Sequence, residues 1–149
     1  VTFIQNKLGM SPAETSDYLN KKSGFLGVSG ISSDNRDITA AIAEGNERAK
    51  LTSEMLTYQI KKYIGSFAAA MNGLDAVIFT GGIGENAPEV RQAVCEDMSF
   101  FGIEVDKDLN NVRGELRKIS SENSKVQVWV VPTNEELLIA RDTLAMVQG

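Results

Sequence analysis

Apolar residues in the first half of the chain recur at helical spacing, and two stretches carry clear helix signals. Ser11 precedes Pro12 and stands three residues before Glu14, the pattern of a capping box, so a short helix is predicted to begin there. From Asn46 to Met71 the spacing predicts one long helix whose apolar stripe packs in a core. The stripe consists of Leu56, Ile60, Tyr63, Ile64, Phe67 and Met71. Between the two, "FLGVSGISSDNRD" predicts a loop and "ITAAIAEG" a short helix.

The second half alternates between strand and helix patterns. The run "DAVIFTG" is apolar and β-branched, which predicts a strand covered on both faces, and "KVQVWVVP" predicts another strong strand. "FGIEVD" and "ELRKIS" predict two further strands, while "PEVRQAVCEDM" and "NEELLIARDTLAMV" predict helices. The order predicts an α/β fold with helices on a small, mostly parallel sheet. We expect a helical segment at 1–73 and an α/β segment at 74–149.

Composition narrows the classes of function. Fifteen basic against twenty acidic residues give a net charge of −5, and the charges are scattered, which argues against a nucleic-acid-binding surface. No apolar run approaches the roughly 20 residues that span a bilayer. Cys95 is the single cysteine, so no internal disulfide forms, and no secretory signal is visible; a cytoplasmic location is expected. The chain has no histidine, so acid–base chemistry would need another group or another part of the protein.

A cluster of glycines stands where the strand "DAVIFTG" passes into the next helix. Gly82 and Gly84 would let a ligand approach the main chain, and the helix that opens on Pro88 offers unpaired N–H groups to an anion. Ala87 is a poor N-cap, so either Asn86 or a group outside the chain is expected to cap this helix. A nucleotide phosphate site and a simple tight turn both fit the spacing.

The same glycines also match a dinucleotide-binding fingerprint, G-x-G-x-x-G/A, through Gly82-Ile83-Gly84. Glu104 and Asp106 then stand roughly 20 residues on, where a ribose-binding acid belongs. Against this interpretation, many helical residues precede the motif, and Glu85 would place a negative charge beside a pyrophosphate. A dinucleotide-binding domain remains the alternative.

Two further polar clusters have both a structural and a functional interpretation. In "SSDNRD", Asp34 fits a helix N-cap, or it accepts hydrogen bonds from a ribose or base while Arg36 contacts a phosphate or ring. In "VVPTNEELLIAR", Thr133 and Glu136 form a predicted capping box. Glu135 takes no part in this capping box. Its carboxylate either interacts favourably with the helix dipole or binds Mg²⁺ at the sheet edge.

Taken together, three stretches resemble the acetate kinase (acetokinase) family, within the acetate and sugar kinase, Hsp70 and actin superfamily. These are "LNKKSGFLGVSGISSDNRD", "VIFTGGIGENAPEVR" and "VPTNEELLIARDT", in the family's order and over nearly the whole chain. The resemblance is to the carboxyl-terminal part of such kinases, with the amino-terminal half absent. It implies part of an actin-like (ribonuclease H-like) ATPase domain.

The resemblance also implies roles for individual residues. Nine positions match family residues that contact ATP or ADP or Mg²⁺. They are Asp34, Asn35 and Arg36 for adenosine, Gly82, Ile83, Gly84, Glu85 and Asn86 for the nucleotide-binding loop, and Glu135 for Mg²⁺. Asn35 departs from the apolar residue that is often found there, and Ala87 replaces a more usual serine.

The implied reaction is Mg²⁺-dependent transfer of the γ-phosphoryl group of ATP to acetate, giving acetyl phosphate and ADP. The family's histidine, its arginines and most of its acetate pocket lie earlier in the sequence, so no catalytic residue is expected in this chain, which is predicted to be inactive alone. A homodimer is implied. A propionate or butyrate kinase remains an alternative, because the residues that select the acid are mostly absent.

Overall fold

The computed structural model describes residues 1–148 and shows a mixed α/β protein. The chain divides into two compact units, Val1–Gln59 and the residues from Ile60 onward. This division falls inside a long helix, whereas the sequence pattern places the change from helical to α/β organisation at residue 73.

The first unit is helical. Its elements are α1 (Thr2–Leu8), α2 (Pro12–Lys21), α3 (Gly24–Ser29), α4 (Asn35–Ala43) and the first part of α5 (Glu47–Met71). The predicted capping box of α2 is confirmed, because the Ser11 side chain accepts from the Glu14 amide and the Glu14 carboxylate accepts from the Ser11 amide at 2.8 Å. The prediction of a loop over "FLGVSG" is wrong, since these residues form most of α3.

A small core holds the first unit together. Ile38 of α4 and Ala49 of α5 are fully buried, together with Thr15 of α2, whose hydroxyl donates to the Ser11 carbonyl at 2.9 Å. The Arg48 guanidinium donates through Nε to the carbonyl of Val28 at 2.8 Å, which ties α5 to α3. Short apolar side chains and local hydrogen bonds therefore organise this unit.

The long helix α5 matches the predicted range, but its apolar stripe does not lie in a core. Tyr63, Phe67 and Met71 are each more than half exposed, and the buried positions are Ala49, Thr52, Thr57 and Ala68. The spacing correctly predicts a helix with one apolar face. Residue spacing does not reveal whether another part of the protein covers that apolar face.

The second unit contains the sheet. After the end of α5, its elements are β1 (Ala76–Phe79), α6 (Gly81–Asn86), α7 (Pro88–Cys95), a 3₁₀ turn (Ser99–Phe101), α8 (Lys107–Asn110), β2 (Arg117–Lys118), β3 (Gln127–Val130) and α9 (Glu135–Gln148). No helix within residues 1–148 is long and apolar enough to cross a lipid bilayer.

The three strands are ordered β1-β3-β2. β1 runs parallel to β3 with Phe79 opposite Val130, and β2 is antiparallel to β3 with Lys118 opposite Trp129. The expectation that β1 is covered on both faces is wrong, because Ile78 is 60% exposed while Phe79 is buried. Since β1 and β3 are parallel neighbours, their carboxyl ends lie at the same edge of the sheet.

The predicted strand "FGIEVD" is also wrong. Within it only two isolated bridges form, from Ile103 to Val126 and from Val105 to Ser120. Ile103 is buried even so, which accounts for the strand-like pattern of the sequence.

The core of this unit is completed by apolar residues of the sheet, α7 and the connections between them. These include Phe79, Ala87, Val90, Val94, Cys95, Met98, Val112, Ile119, Val126, Val128 and Val130.

Candidate nucleotide-binding site

The glycine segment, residues 81–86, follows β1 and forms the short helix α6 rather than an open turn. Gly81 has a φ of +69°, a conformation that favours glycine. A Cβ on Gly84 would lie 3.1 Å from the carbonyl carbon of Phe79, so only glycine lets α6 approach the end of β1 this closely. A Cβ on Gly82 would meet nothing within 4 Å. The fold therefore accounts for Gly81 and Gly84 but not for Gly82.

The carboxylate of Glu85 connects the glycine segment to the segment that precedes α9. Its Oε1 atom accepts hydrogen bonds from the Gly81 amide at 2.8 Å, the Thr133 amide at 2.8 Å and the Thr133 hydroxyl at 2.9 Å. The amide and hydroxyl of Thr133, with a further contribution from the Gly81 amide, hold the pKa of Glu85 below its usual value. Glu85 is therefore ionised at neutral pH.

Arg91 of α7 holds the same segment from its other side, and it is completely buried. Nη1 donates to the carbonyls of Gly84 at 2.9 Å and Glu85 at 3.0 Å. Nε donates to Asn110 Oδ1 at 2.8 Å, and Nη2 donates to the carbonyls of Asn110 and Val112 at 2.7 Å each. All five N–H groups of the guanidinium are thus used. The pKa of Arg91 is lowered, and burial of the guanidinium is the main cause.

Sequence reasoning missed Arg91. A signal was present, because Arg91 stands three and four residues before Val94 and Cys95, on the apolar face of a predicted helix. An arginine at such a position is buried only if its donors find partners. Four of its five acceptors are backbone carbonyls, which no side-chain pattern reveals.

Asn86 ends α6 and does not cap α7. Its Nδ2 donates to the Gly82 carbonyl at 3.1 Å within α6, and its own carbonyl accepts from Nη1 of Arg113. Ala87 is the N-cap of α7 and makes no side-chain cap hydrogen bond, as its methyl group dictates. The expectation of a cap from Asn86 is wrong.

The start of α9 also differs from the predicted capping box. Asn134 caps the helix, because its Oδ1 accepts from the Leu137 amide at 3.0 Å, while the Thr133 hydroxyl is directed to Glu85 instead. Glu135 is the first helical residue and is exposed. Among residues 1–148 there is no group of three or more histidine, cysteine, aspartate or glutamate residues that could hold a metal ion.

In the first unit, Asp34 is the N-cap of α4, and its Oδ1 accepts from the Arg36 amide at 2.8 Å. Its carboxylate also binds the Arg36 guanidinium, with Nη2 at 2.6 Å from Oδ2. The side-chain hydrogen bond from Arg36 is the first cause that lowers the pKa of Asp34 to about 2. The Arg36 side chain is 89% exposed. Asn35 is the first residue of α4.

The residues required by the dinucleotide interpretation have other positions. Asp106 caps α8, accepting from the amides of Asp108 and Leu109 at 2.9 and 3.0 Å. Glu104 is exposed in an irregular segment rather than at the end of a strand. The second strand of a dinucleotide-binding unit does not form here. The structure thus gives this alternative no support beyond the glycine spacing.

Comparison with known proteins identifies relatives. The family model described as "Acetokinase family" matches residues 1–141. An acetate kinase of Moorella thermoacetica is 53% identical over 149 residues, covering 100% of this chain and 38% of its own length. The crystal structure of Porphyromonas gingivalis acetate kinase matches 98% of this chain and 37% of that chain, with a TM-score of 0.89 and 52% identity. A propionate kinase from Francisella tularensis matches 93% of this chain and 35% of that chain, with a TM-score of 0.82 and 38% identity.

The chain therefore spans less than two fifths of the length of these relatives. The predicted fold class is confirmed: helices pack on a small, mostly parallel sheet that is part of the actin-like ATPase fold of acetate kinases. Because the family model covers residues 1–141 and the identity extends over the whole chain, this protein belongs to the acetokinase family.

Proposed function

We propose that residues 1–149 are the carboxyl-terminal, nucleotide-binding part of an acetate kinase that depends on ATP and Mg²⁺. The chain belongs to the acetokinase family, and one observation supports this more specific proposal: two motifs of the family are connected by hydrogen bonds. Glu85 of "GIGEN" accepts two hydrogen bonds from Thr133, which begins "TNEE". We propose that these residues are part of a longer chain, the full-length protein.

The nucleotide would be held mainly by two segments. Asp34, Asn35 and Arg36 are proposed to contact adenosine, and the residues from Gly82 to Asn86 are proposed to bind the phosphate-bearing part. Gly82 supports this assignment, because neither a positive φ nor a close neighbour explains its lack of a side chain. Close approach of a ligand to the main chain would explain it.

Glu135 is proposed to bind the Mg²⁺ ion that accompanies the nucleotide. Mg²⁺ in kinases is usually held by one or two carboxylates together with phosphate oxygens and water. Glu135 is an exposed carboxylate in the first turn of α9, beside the exposed Glu136, and this arrangement fits that kind of site rather than a metal cage built from protein alone. When bound, the ion would neutralise charge that develops on the transferring phosphoryl group.

In the proposed reaction, a carboxylate oxygen of acetate attacks the γ-phosphorus of ATP. The bond from that phosphorus to the bridging oxygen breaks, which gives acetyl phosphate and ADP. Catalysis of such a transfer rests on alignment and charge neutralisation more than on covalent chemistry by the protein. This chain would align the nucleotide, and the groups that act on the transferring phosphoryl would lie in the amino-terminal part.

The proposal is tested by measuring acyl phosphate formation with ATP, Mg²⁺ and acetate. We expect activity from the full-length protein and none when Mg²⁺ is withheld. Residues 1–149 expressed alone should form no acetyl phosphate, because they lack histidine and the proposed acid pocket. Activity of the purified shorter chain would contradict the assignment of the catalytic groups, and an inactive full-length protein would contradict the proposed function.

Two alternatives can be separated with the same protein. Since a propionate kinase shares this fold at 38% identity, kcat/KM is compared for acetate, propionate and butyrate. We expect the highest value for acetate. Thermal shift with MgADP and with NAD then separates the kinase from a dinucleotide-binding domain, which would be stabilised by NAD without metal.

Assembly and location are proposed from the same family relationship. We expect the full-length protein to be a homodimer in the cytoplasm, with ATP and acetate as its small-molecule partners. Light scattering gives the mass of the particle in solution, and cell fractionation gives its location. A monomeric mass would overturn the first expectation, and recovery in the membrane fraction would overturn the second.

A further inference from the structure

Glu85 occupies a position in the glycine segment where it cannot serve a nucleotide phosphate directly. An ionised carboxylate accepts hydrogen bonds and donates none, so it offers nothing to a phosphate oxygen and repels its charge. Its Oε1 atom is already bonded to three donors, at 2.8, 2.8 and 2.9 Å. Another role must account for an acid in this place.

Two of the three bonds join Glu85 to Thr133, which lies 48 residues further along the sequence, and the third, from Gly81, lies within the glycine segment. Gly81 begins α6, just after β1, and Thr133 follows the end of β3. The two strands are paired up to this edge, where the Val131 amide donates to the Phe79 carbonyl at 2.9 Å. Beyond this bond the two segments leave the sheet, and Glu85 joins them. Hydrogen bonds to an ionised acceptor are roughly twice as strong as neutral ones.

The hydrogen bonds of Glu85 can adjust only the side of α6 that faces Thr133. Arg91 holds the carbonyls of Gly84 and Glu85 against the end of α8 at Asn110, so α6 is already fixed on that side. The remaining variable is the spacing between α6 and the residues that follow Thr133. Glu135 comes two residues after Thr133, at the first position of α9.

We propose that Glu85 is a positioning residue that sets the spacing between the glycine segment and Glu135, so that the phosphates of a nucleotide and the Mg²⁺ ion bound to them meet both segments together. This inference rests on the proposed function. Among the residues from Gly82 to Asn86 that are proposed above to bind the phosphate-bearing part, it assigns to Glu85 an indirect role, in place of the nucleotide contact that the family resemblance implies.

Four variants of the full-length protein test the inference. Glu85→Ala removes the acceptor, and Glu85→Gln keeps an acceptor oxygen without the charge. Thr133→Val removes the hydroxyl donor with little change of shape, and Thr133→Ser retains it. Glu122→Ala, an exposed acid in the turn before β3, is the matched control.

We expect Glu85→Ala to raise KM for MgATP about tenfold, the effect of losing roughly one strong hydrogen bond, and Glu85→Gln and Thr133→Val to raise it less. The Mg²⁺ concentration for half-maximal activity should rise in parallel. Thr133→Ser and the control should remain within about twofold of wild type. KM for acetate should stay unchanged, because the acid is proposed to bind elsewhere. In the double variant Glu85→Ala with Thr133→Val, the rise in KM for MgATP should be smaller than the product of the two single rises. Both substitutions remove the same hydrogen bond, between the Thr133 hydroxyl and the Glu85 carboxylate.

The outcomes separate the two proposals. If the wild-type protein forms acetyl phosphate and both Glu85→Ala and Thr133→Val leave KM for MgATP within about twofold, the positioning role is wrong, even if thermal stability falls. If KM for acetate rises as much as KM for MgATP, the effect is a general loss of structure and the inference also fails. If the wild-type protein forms no acyl phosphate at all, the proposed function fails, and the inference fails with it.

Discussion

The two segments proposed to hold the nucleotide are stabilised in opposite ways. The glycine segment is held to distant parts of the chain, because Arg91 joins its carbonyls to those of Asn110 and Val112 and because Thr133 donates to Glu85. The segment around Asp34 is held by its own neighbours, through Arg36 two residues away. Arg91 is fully buried, whereas the Arg36 side chain is 89% exposed. The same residue type thus shapes the protein in one region and stays at the surface in the other.

The difference has an energetic basis. A buried guanidinium is stable only when its N–H groups are satisfied, and the five acceptors around Arg91 meet that need. An exposed ion pair such as Asp34 with Arg36 contributes little to stability. Arg36 can therefore exchange its partner for a ligand at low cost, while Arg91 cannot. Four predictions test this contrast.

The largest effect is expected from Arg91→Ala in the full-length protein. Each buried carbonyl left without a donor costs about 1–3 kcal/mol, and several are affected, so a loss on the order of 4 kcal/mol is expected. Arg91→Lys keeps the charge but not the planar fork and should lose less. Urea unfolding measures the change, with Arg117→Ala as the control, because Arg117 is a half-buried arginine paired with Glu115 at 2.7 Å. An Arg91→Ala loss no larger than that of the control would contradict the role of Arg91.

Gly84→Ala should have the next largest effect on stability. Its new methyl group would lie 3.1 Å from the carbonyl carbon of Phe79, and backbone must shift to admit it. Overpacking of this kind costs about 1–3 kcal/mol. The urea midpoint should fall accordingly, and an unchanged midpoint would show that α6 is free to move away from β1.

Gly82→Ala should leave stability nearly unchanged and weaken nucleotide binding. No atom lies within 4 Å of the added Cβ, and alanine is favoured over glycine in a helix by up to about 1 kcal/mol. KM for MgATP should nevertheless rise several-fold, because the methyl group would occupy the open space beside the main chain. Equal KM values for Gly82→Ala and wild type would remove the structural support for a ligand at this position.

The smallest effect is expected at Asp34 and concerns pH. Its pKa lies at about 2, below the ordinary value of 3.8, so the interaction with Arg36 is fully present above pH 4 and is lost as the pH falls through 2. Carboxyl ¹³C NMR of labelled aspartate should give a titration midpoint near 2. Arg36→Ala should raise that midpoint toward 3.8, since the side-chain bond from Arg36 is the first cause of the shift. A midpoint that stays near 2 in the variant would contradict this cause.

Sequence predicted the local features of this fold well. Ser11 and Glu14 form the expected capping box, because both partners lie within one helical turn. The strand predicted near "DAVIFTG" forms at Ala76–Phe79. The family motifs also led to the candidate site residues, whose roles stay predictions.

The failures arose where a distant partner decided the outcome. Thr133 and Glu136 fit a capping box locally, yet Glu85 accepts from the Thr133 hydroxyl and Asn134 caps the helix instead. The alternation of Ile103 and Val105 predicts a strand, but these residues form only single bridges beside the ends of β3 and β2. Such competition between local and long-range partners cannot be read from one stretch of sequence.

The complete use of Arg91 has a dynamic consequence. Because all five N–H groups of the guanidinium are bonded, the glycine segment cannot bend by itself without leaving the half-buried carbonyls of Gly84 and Glu85 unpaired. We therefore expect α6, the first turn of α7 and the end of α8 at Asn110 to move together. A nucleotide bound here, as proposed, would therefore meet a preformed surface.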